Sequence, residues 1–180
     1  NIIKGMYCFR KGKRGKKRVQ LLGSGTIFRE VIAAADLLAE DFGVQADLWS
    51  APSFNELKRN GDDVVRWNRL HPDKQPRQSH VEQCLAGTAG PVVAATDYVK
   101  LYADQIRAFV PHRYVVLGTD GFGRSDTRKA LRRHFEVDRH HVVVATLKAL
   151  AEEGTIPAKT VKEAIKKYGL DPEKPNPLYA

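Results

Sequence analysis

Two cysteines in 180 residues, Cys8 and Cys84, are too few for a disulfide framework, and neither stands at a metal-ligand spacing. They read as two reduced thiols, the usage of a cytoplasmic protein. No window approaches the eighteen or more apolar residues needed to span a bilayer, and no secretory leader opens the chain, so a membrane partner is not expected. Aromatics are sparse at 8%. The chain starts on Asn1 rather than methionine and reaches strand-like residues almost at once, and is expected to be a piece of something longer. What remains, 42% hydrophobic and 28% charged residues, is enough for one globular domain over 1–180 with a continuous core.

Several catalytic patterns are missing as well. No Walker A sequence occurs, because residues 12–18 have lysines but not the required spacing and hydroxyl. Neither Ser24 nor Ser125 has glycine two residues away on both sides, which excludes the nucleophile elbow. The turn Gly23-Ser24-Gly25 lies where a dinucleotide fingerprint would, but its third glycine is replaced by Phe28, which denies the close backbone approach. A stand-alone nucleotide-binding enzyme is therefore the weaker alternative. Cys84 follows His80 by four residues, one helical turn, without a third orienting group in sight. His134, His140 and His141 cluster near Glu136 and Asp138, a pattern better suited to a surface helix boundary than to a metal site.

The net charge is +9, and Lys11, Lys13, Arg14, Lys16, Lys17 and Arg18 supply six of the positive charges within eight residues. This run contains no aromatic for base stacking, so it reads as a solvated loop and no nucleic-acid partner is expected. Docking of an acidic partner is the functional reading that its charge allows.

Periodicity divides the chain into alternating strands and helices. Residues 4–9, 18–22, 44–49, 92–95 and 114–117 read as strands. Residues 26–42 form an amphipathic helix stopped by Gly43; a helix starts at Phe54, with Gly61 marking its end and a second short helix after it. Residues 71–79 are a loop, and 81–85 are ambiguous. Thr96 or Asp97 can cap a helix with Tyr98, Leu101, Tyr102, Ile106 and Phe109 on its apolar face. Further helices are expected over 126–135, capped by Ser125 or Asp126, from Asp138 to about Gly154, and between Pro157 and Gly169. The result is an α/β protein whose largely parallel sheet is covered on both faces. The first two strands, joined only by the basic loop, would by themselves pair as a hairpin.

The densest glycine turn, Gly118-Thr119-Asp120-Gly121-Phe122-Gly123-Arg124-Ser125-Asp126, follows the fifth strand directly. Asp97 and Tyr98 follow the fourth, and both loops belong to the side where open α/β sheets gather ligands. No general base, nucleophile or metal set lies between them, so Asp97, Tyr98, Asp120, Gly121, Phe122, Gly123, Arg124, Ser125 and Asp126 are candidates for an interface rather than an active site.

That glycine string, with Ala95-Thr96-Asp97-Tyr98-Val99-Lys100-Leu101, Ser53-Phe54-Asn55-Glu56-Leu57, Arg66-Trp67-Asn68, Leu70-His71-Pro72 and His134-Phe135-Glu136-Val137-Asp138, closely resembles the C-terminal domain of the homodimeric bacterial pyruvate dehydrogenase first component. The resemblance runs in order over essentially the whole chain. It implies a transketolase C-terminal-type fold: three α/β/α layers around a five-stranded mixed sheet whose first strand is antiparallel, at the edge beside the third. That placement overrides the hairpin. The resemblance also implies a parent enzyme that decarboxylates pyruvate with thiamine diphosphate and magnesium and acetylates the lipoyl group of an acetyltransferase component. The implied partners are upstream thiamine-binding domains, a second subunit and that acetyltransferase. No Gly-Asp-Gly occurs in this chain, and the resemblance carries over no catalytic, cofactor or metal residue to it.

Overall fold

The computed structural model describes residues 2–180. Five strands, β1 (Tyr7–Arg10), β2 (Arg18–Gly23), β3 (Gln45–Ser50), β4 (Val92–Ala95) and β5 (Tyr114–Leu117), make one sheet in the order β1-β3-β2-β4-β5. β1 is antiparallel to β3, and every other pairing is parallel. The first strand thus sits at the edge beside the third, and the local hairpin does not form. Its connecting loop instead crosses the start of β3, where the Gly12 amide donates to Asp47 at 2.8 Å and a Cβ on Gly12 would strike the Ala46 carbonyl.

Seven helices cover the two faces: α1 (Phe28–Phe42), α2 (Phe54–Leu70), α3 (His80–Leu85), α4 (Lys100–Asp104), α5 (Arg128–His134), α6 (Arg139–Glu152) and α7 (Ala158–Lys167). Alternate residues of the central strands feed two cores. Leu21, Leu48 and Val93 meet α1 and α6 on one side. Leu22, Trp49, Val92 and Ala94 meet α2, α3 and the 106–109 segment on the other. Burial on both faces explains why β2, β3 and β4 read as nearly continuous apolar runs.

Three local expectations need correction, and one open reading is settled. Gly61 does not end a helix: α2 runs through it, and the glycine is buried where a Cβ would enter the Phe109 ring. The helix foreseen from Thr96 or Asp97 is short, beginning after Val99, and continues only as a 3-10 turn at Arg107–Phe109, with neither Thr96 nor Asp97 as its cap. α5 is capped by Thr127, whose hydroxyl accepts from the Ala130 amide, and not by Ser125 or Asp126. Residues 81–85 lie in α3, fixed by a capping box between Ser79 and Glu82.

Asp138 caps α6 as its position implied, accepting from the His141 amide at 2.9 Å and from its ring Nδ1 at 2.8 Å. Burial alone would raise this carboxyl; the His141 bonds, with Arg133, outweigh it and hold the group at about 2. Asp138→Ala should therefore lower stability by about 1–2 kcal/mol near neutral pH. The sign of the shift sets the pH window: the contribution is complete above about pH 4 and fades as pH falls toward 2. Urea titrations of both proteins at pH 7 and pH 2.5 check this, and an undiminished gap at the lower pH would contradict it.

Candidate functional site

β2 and β4 are neighbours whose connections leave in opposite directions along the sheet, so their carboxyl ends flank the topological switch point. The crevice is closed by short polar side chains. Ser24 Oγ donates to Thr96 Oγ1 at 2.9 Å in the interior, and Thr26 Oγ1 donates to Asp97 Oδ2 at 3.2 Å. Gly25 takes φ +55 with the Asp97 carboxylate occupying the space where its Cβ would be.

The loops after β4 and β5 lie side by side and are stitched together. The Thr119 amide donates to the Tyr98 carbonyl at 2.9 Å and its hydroxyl to the Asp97 carbonyl at 2.8 Å. In return Asp120 accepts from the Lys100 amide at 2.8 Å, with the Lys100 ammonium 3.8 Å away. Gly118 is pressed against the Tyr98 and Lys100 backbone, a contact that leaves no room for a side chain.

Beyond Asp120 the glycine loop turns outward. Gly121 adopts φ +106 against the Pro177 carbonyl, Phe122 projects into solvent, and Asp126 accepts from the next amide, of Thr127, at 2.6 Å. A cleft of about 380 Å³ opens between this loop and α5. Ile27, Leu131, Phe135 and Val137 form its apolar wall, and Asp97, Thr119, Gly121, Gly123, Arg124 and Arg128 its polar one. Among the described residues Arg124 and Arg128 have no carboxylate partner, whereas Arg132 is held by Glu30 at 2.8 Å. The arrangement can receive an apolar group beside a carboxylate. It brings together Asp97, Gly121, Gly123 and Arg124 of the interface candidates; Tyr98 and Phe122 stand outside the cleft, and Ser125 and Asp126 belong to a smaller recess with His134.

The other titratable clusters have structural duties. Cys84 Sγ lies 3.5 Å from His80 Nε2, but that nitrogen is 3.0 Å from the Met6 carbonyl, which can only accept. Nε2 therefore carries its hydrogen, leaving Nδ1, 3.9 Å from the sulfur, as the ring's acceptor, and burial pushes the Cys84 thiol up, away from the thiolate. His140 stacks on Tyr168 with ring centroids 4.6 Å apart, and His141 serves Asp138. Among the described residues no three His, Cys, Asp or Glu side chains are placed to hold a metal.

Sequence reasoning missed two residues, one at each pole of the sheet. Asp47, buried in β3, accepts from Gly12, from Arg18 at 2.6 Å and from Gln20, and so ties down both ends of the basic loop. The sequence signal was a lone acid inside an apolar strand. Pro177 reaches the glycine loop only through tertiary structure, and no spacing announces it.

The comparisons agree with this architecture. A family model described as "Transketolase-like TK C-terminal domain" matches residues 5–138. The chain is 66% identical over 99% of its length to "Pyruvate dehydrogenase E1 component" of Cupriavidus necator, 65% over 98% to that of Pseudomonas aeruginosa, and 51% over 99% to that of Escherichia coli K12. It covers 20% of each, so it spans about a fifth of the length of these curated relatives. Among solved structures it resembles a transketolase from Campylobacter jejuni at a TM-score of 0.56 and 18% identity, covering 82% of this chain and 19% of that one. It also resembles a split-gene transketolase, an inactive beta4 tetramer, at 0.53 and 20%, covering 81% and 42%. These structural likenesses concern the fold. With the mixed sheet, the antiparallel edge strand and the family model in accord, the chain belongs to the transketolase-like C-terminal domain family.

Proposed function

We propose that this chain is the C-terminal structural and interaction domain of a homodimeric, cytoplasmic bacterial pyruvate dehydrogenase E1 component. The observation that carries this reading is the 66% identity to such a protein across 99% of the chain. The parent enzyme would decarboxylate pyruvate with thiamine diphosphate and magnesium and acetylate the lipoyl group of an acetyltransferase component. Its thiamine-binding domains would be supplied by the rest of the polypeptide and by the second subunit.

The described residues do not fit thiamine diphosphate or its metal. No three potential ligands converge among them, and Asp120, the acid of the glycine loop, is taken up by Lys100. Phe28 occupies the position where a phosphate turn would need glycine. No catalytic step is assigned to this chain. Its part is to present Asp97, Tyr98 and residues 120–126 as a rigid edge for assembly, an edge supported by the loop-to-loop hydrogen bonds at the ends of β4 and β5.

The 180-residue fragment should therefore bind no thiamine diphosphate by calorimetry and turn over no pyruvate. An antibody against it should detect, in the source cells, a polypeptide several times heavier than 20.1 kDa that sediments with lipoylated protein. Stoichiometric cofactor binding by the fragment, or a native band at 20.1 kDa alone, would overturn the assignment.

A further inference from the structure

The basic loop between β1 and β2 is fastened along its length. The Gly12 amide holds its entry to Asp47 at 2.8 Å, and Arg18 holds its exit to the same carboxylate at 2.6 Å. Arg18 also donates to the Lys13 carbonyl at 2.7 Å, and the Gln45 amide donates to the Lys17 carbonyl at 2.9 Å. Gly15 packs so closely on Gln45 that a Cβ there would stand 2.9 Å from its side chain. Lys11 lies 5.0 Å from the centre of the Trp49 ring. Six cations in eight residues repel one another, and a free loop of this kind spreads through solvent. Here one buried acid and the start of β3 give it a fixed course.

Fixing the backbone leaves the side chains unanswered. Lys13, Arg14, Lys16 and Lys17 are exposed, and among the described residues none has a carboxylate partner. The neighbouring acids are spent, Asp47 on Gly12, Arg18 and Gln20, and Asp36 on Arg10 at 2.7 Å. Glu40, which lines the recess between this loop and α1, is the exception, one acid beside four free cations. Burying Asp47 to hold the loop costs desolvation that solubility alone does not require. The loop also has its own end of the sheet. Gln45, beside Arg18, opens β3, whereas Tyr7 pairs with Ser50, which closes it about 17 Å away.

We propose that residues 13–17 form a preorganised docking site for an acidic segment of a separate protein. Charge complementarity selects the class: four unpaired cations within five residues match a run of aspartates and glutamates. No aromatic is present for bases to stack on, which sets nucleic acid aside. The polypeptide that the assignment above places ahead of residue 1 joins at the other end of β3, which favours a separate molecule as the occupant. Only this last choice rests on that assignment. Because the loop's course is set before binding, little ordering entropy is lost on contact, and its charges attract an acidic segment over about a Debye length.

Fluorescence anisotropy of a labelled decaglutamate peptide with the full-length protein tests this. The peptide should bind at about 20 mM salt and weaken at least tenfold by about 200 mM. Lys13→Gln, Arg14→Gln, Lys16→Gln and Lys17→Gln together should weaken binding at least tenfold. The equal charge change Arg66→Gln, Arg69→Gln, Lys162→Gln and Lys166→Gln, at exposed helix positions, should alter it less than twofold. Asp47→Ala should weaken binding at least threefold although it adds to the positive charge, because the loop loses its anchor. Unchanged or tighter binding by Asp47→Ala would mean that charge alone acts, and would overturn the preorganised site. Equal losses in the two glutamine sets, or no binding by the unaltered protein, would overturn it as well. So would tighter binding of an oligothymidylate of the same charge, which would make nucleic acid the partner. If the native chain proves to be 20.1 kDa, the underlying assignment falls, and the same peptide measured on that chain still decides the docking site.

Discussion

Gly61→Val is expected to lower stability by about 3 kcal/mol, a large loss for an exchange inside a helix that favours valine over glycine by a few tenths. The cause is the crossing of α2 against Phe109. A Cβ at position 61 would overlap the ring, and Phe109 is itself buried in the core between α2 and the sheet, with no free space to retreat into. Phe109→Ala alone should cost about 3–4 kcal/mol through the cavity it leaves. The double variant should be more stable than the sum of the two losses by more than 1 kcal/mol, because each change relieves the other. Urea denaturation of the four proteins closes the cycle, and strict additivity would show that the helix and the ring are not in tight contact.

Asp47→Ala should have a comparable effect and a second, local one. The carboxylate is nearly fully buried, and its removal leaves the Gly12 amide without an acceptor and the Arg18 charge without its counterion, although Gln20 keeps the Ala89 carbonyl and Arg18 the Lys13 carbonyl. About 3 kcal/mol is expected, at the lower end for a broken buried pair because Arg18 retains some solvent. The basic loop should come loose at both ends, and trypsin should cut after Arg14, Lys16 or Lys17 at least tenfold faster. The pH dependence follows from the sign of the shift. Burial alone would raise the Asp47 carboxyl, but the Gly12 amide, Arg18 and Gln20 outweigh it and hold it below the usual carboxylate range. Its contribution is thus present above about pH 4 and is lost as pH falls through the depressed value. Equal tryptic rates in the two proteins at pH 7 would refute this account of the loop.

The alternation of periods gave β2 to β5 nearly in place, since strands packed on both faces leave apolar runs between punctuating glycines and prolines, whereas β1, half exposed at the sheet edge, starts at Tyr7 and not at Lys4. Pairing was another matter. Nothing within residues 4–22 reveals that β3 will slip between β1 and β2; the resemblance supplied that order, and Asp47 is its physical anchor. Gly61 was misread because glycine has two uses, ending helices and admitting a neighbour, and sequence displays only the first. Likewise Asp126 and Thr127 are both good caps, and the choice between them depends on how Asp126 is spent within the turn. That the loops after β4 and β5 would be neighbours was legible, because they follow adjacent strands. The tail that backs the glycine loop was not, because a segment with three prolines and no period shows nothing until its contacts are in place.

The insertion of β3 between β1 and β2 also sets an order of events during synthesis. Within this domain β1 emerges before the other strands, yet β1 has no partner until Ser50 has emerged and β3 has settled beside β2. The unit able to form earliest is β2–α1–β3, whose contacts close over some thirty residues, and β1 must be added to its finished edge. The domain's leading strand is among the last to be placed, and until then its unpaired backbone is open to the wrong neighbour.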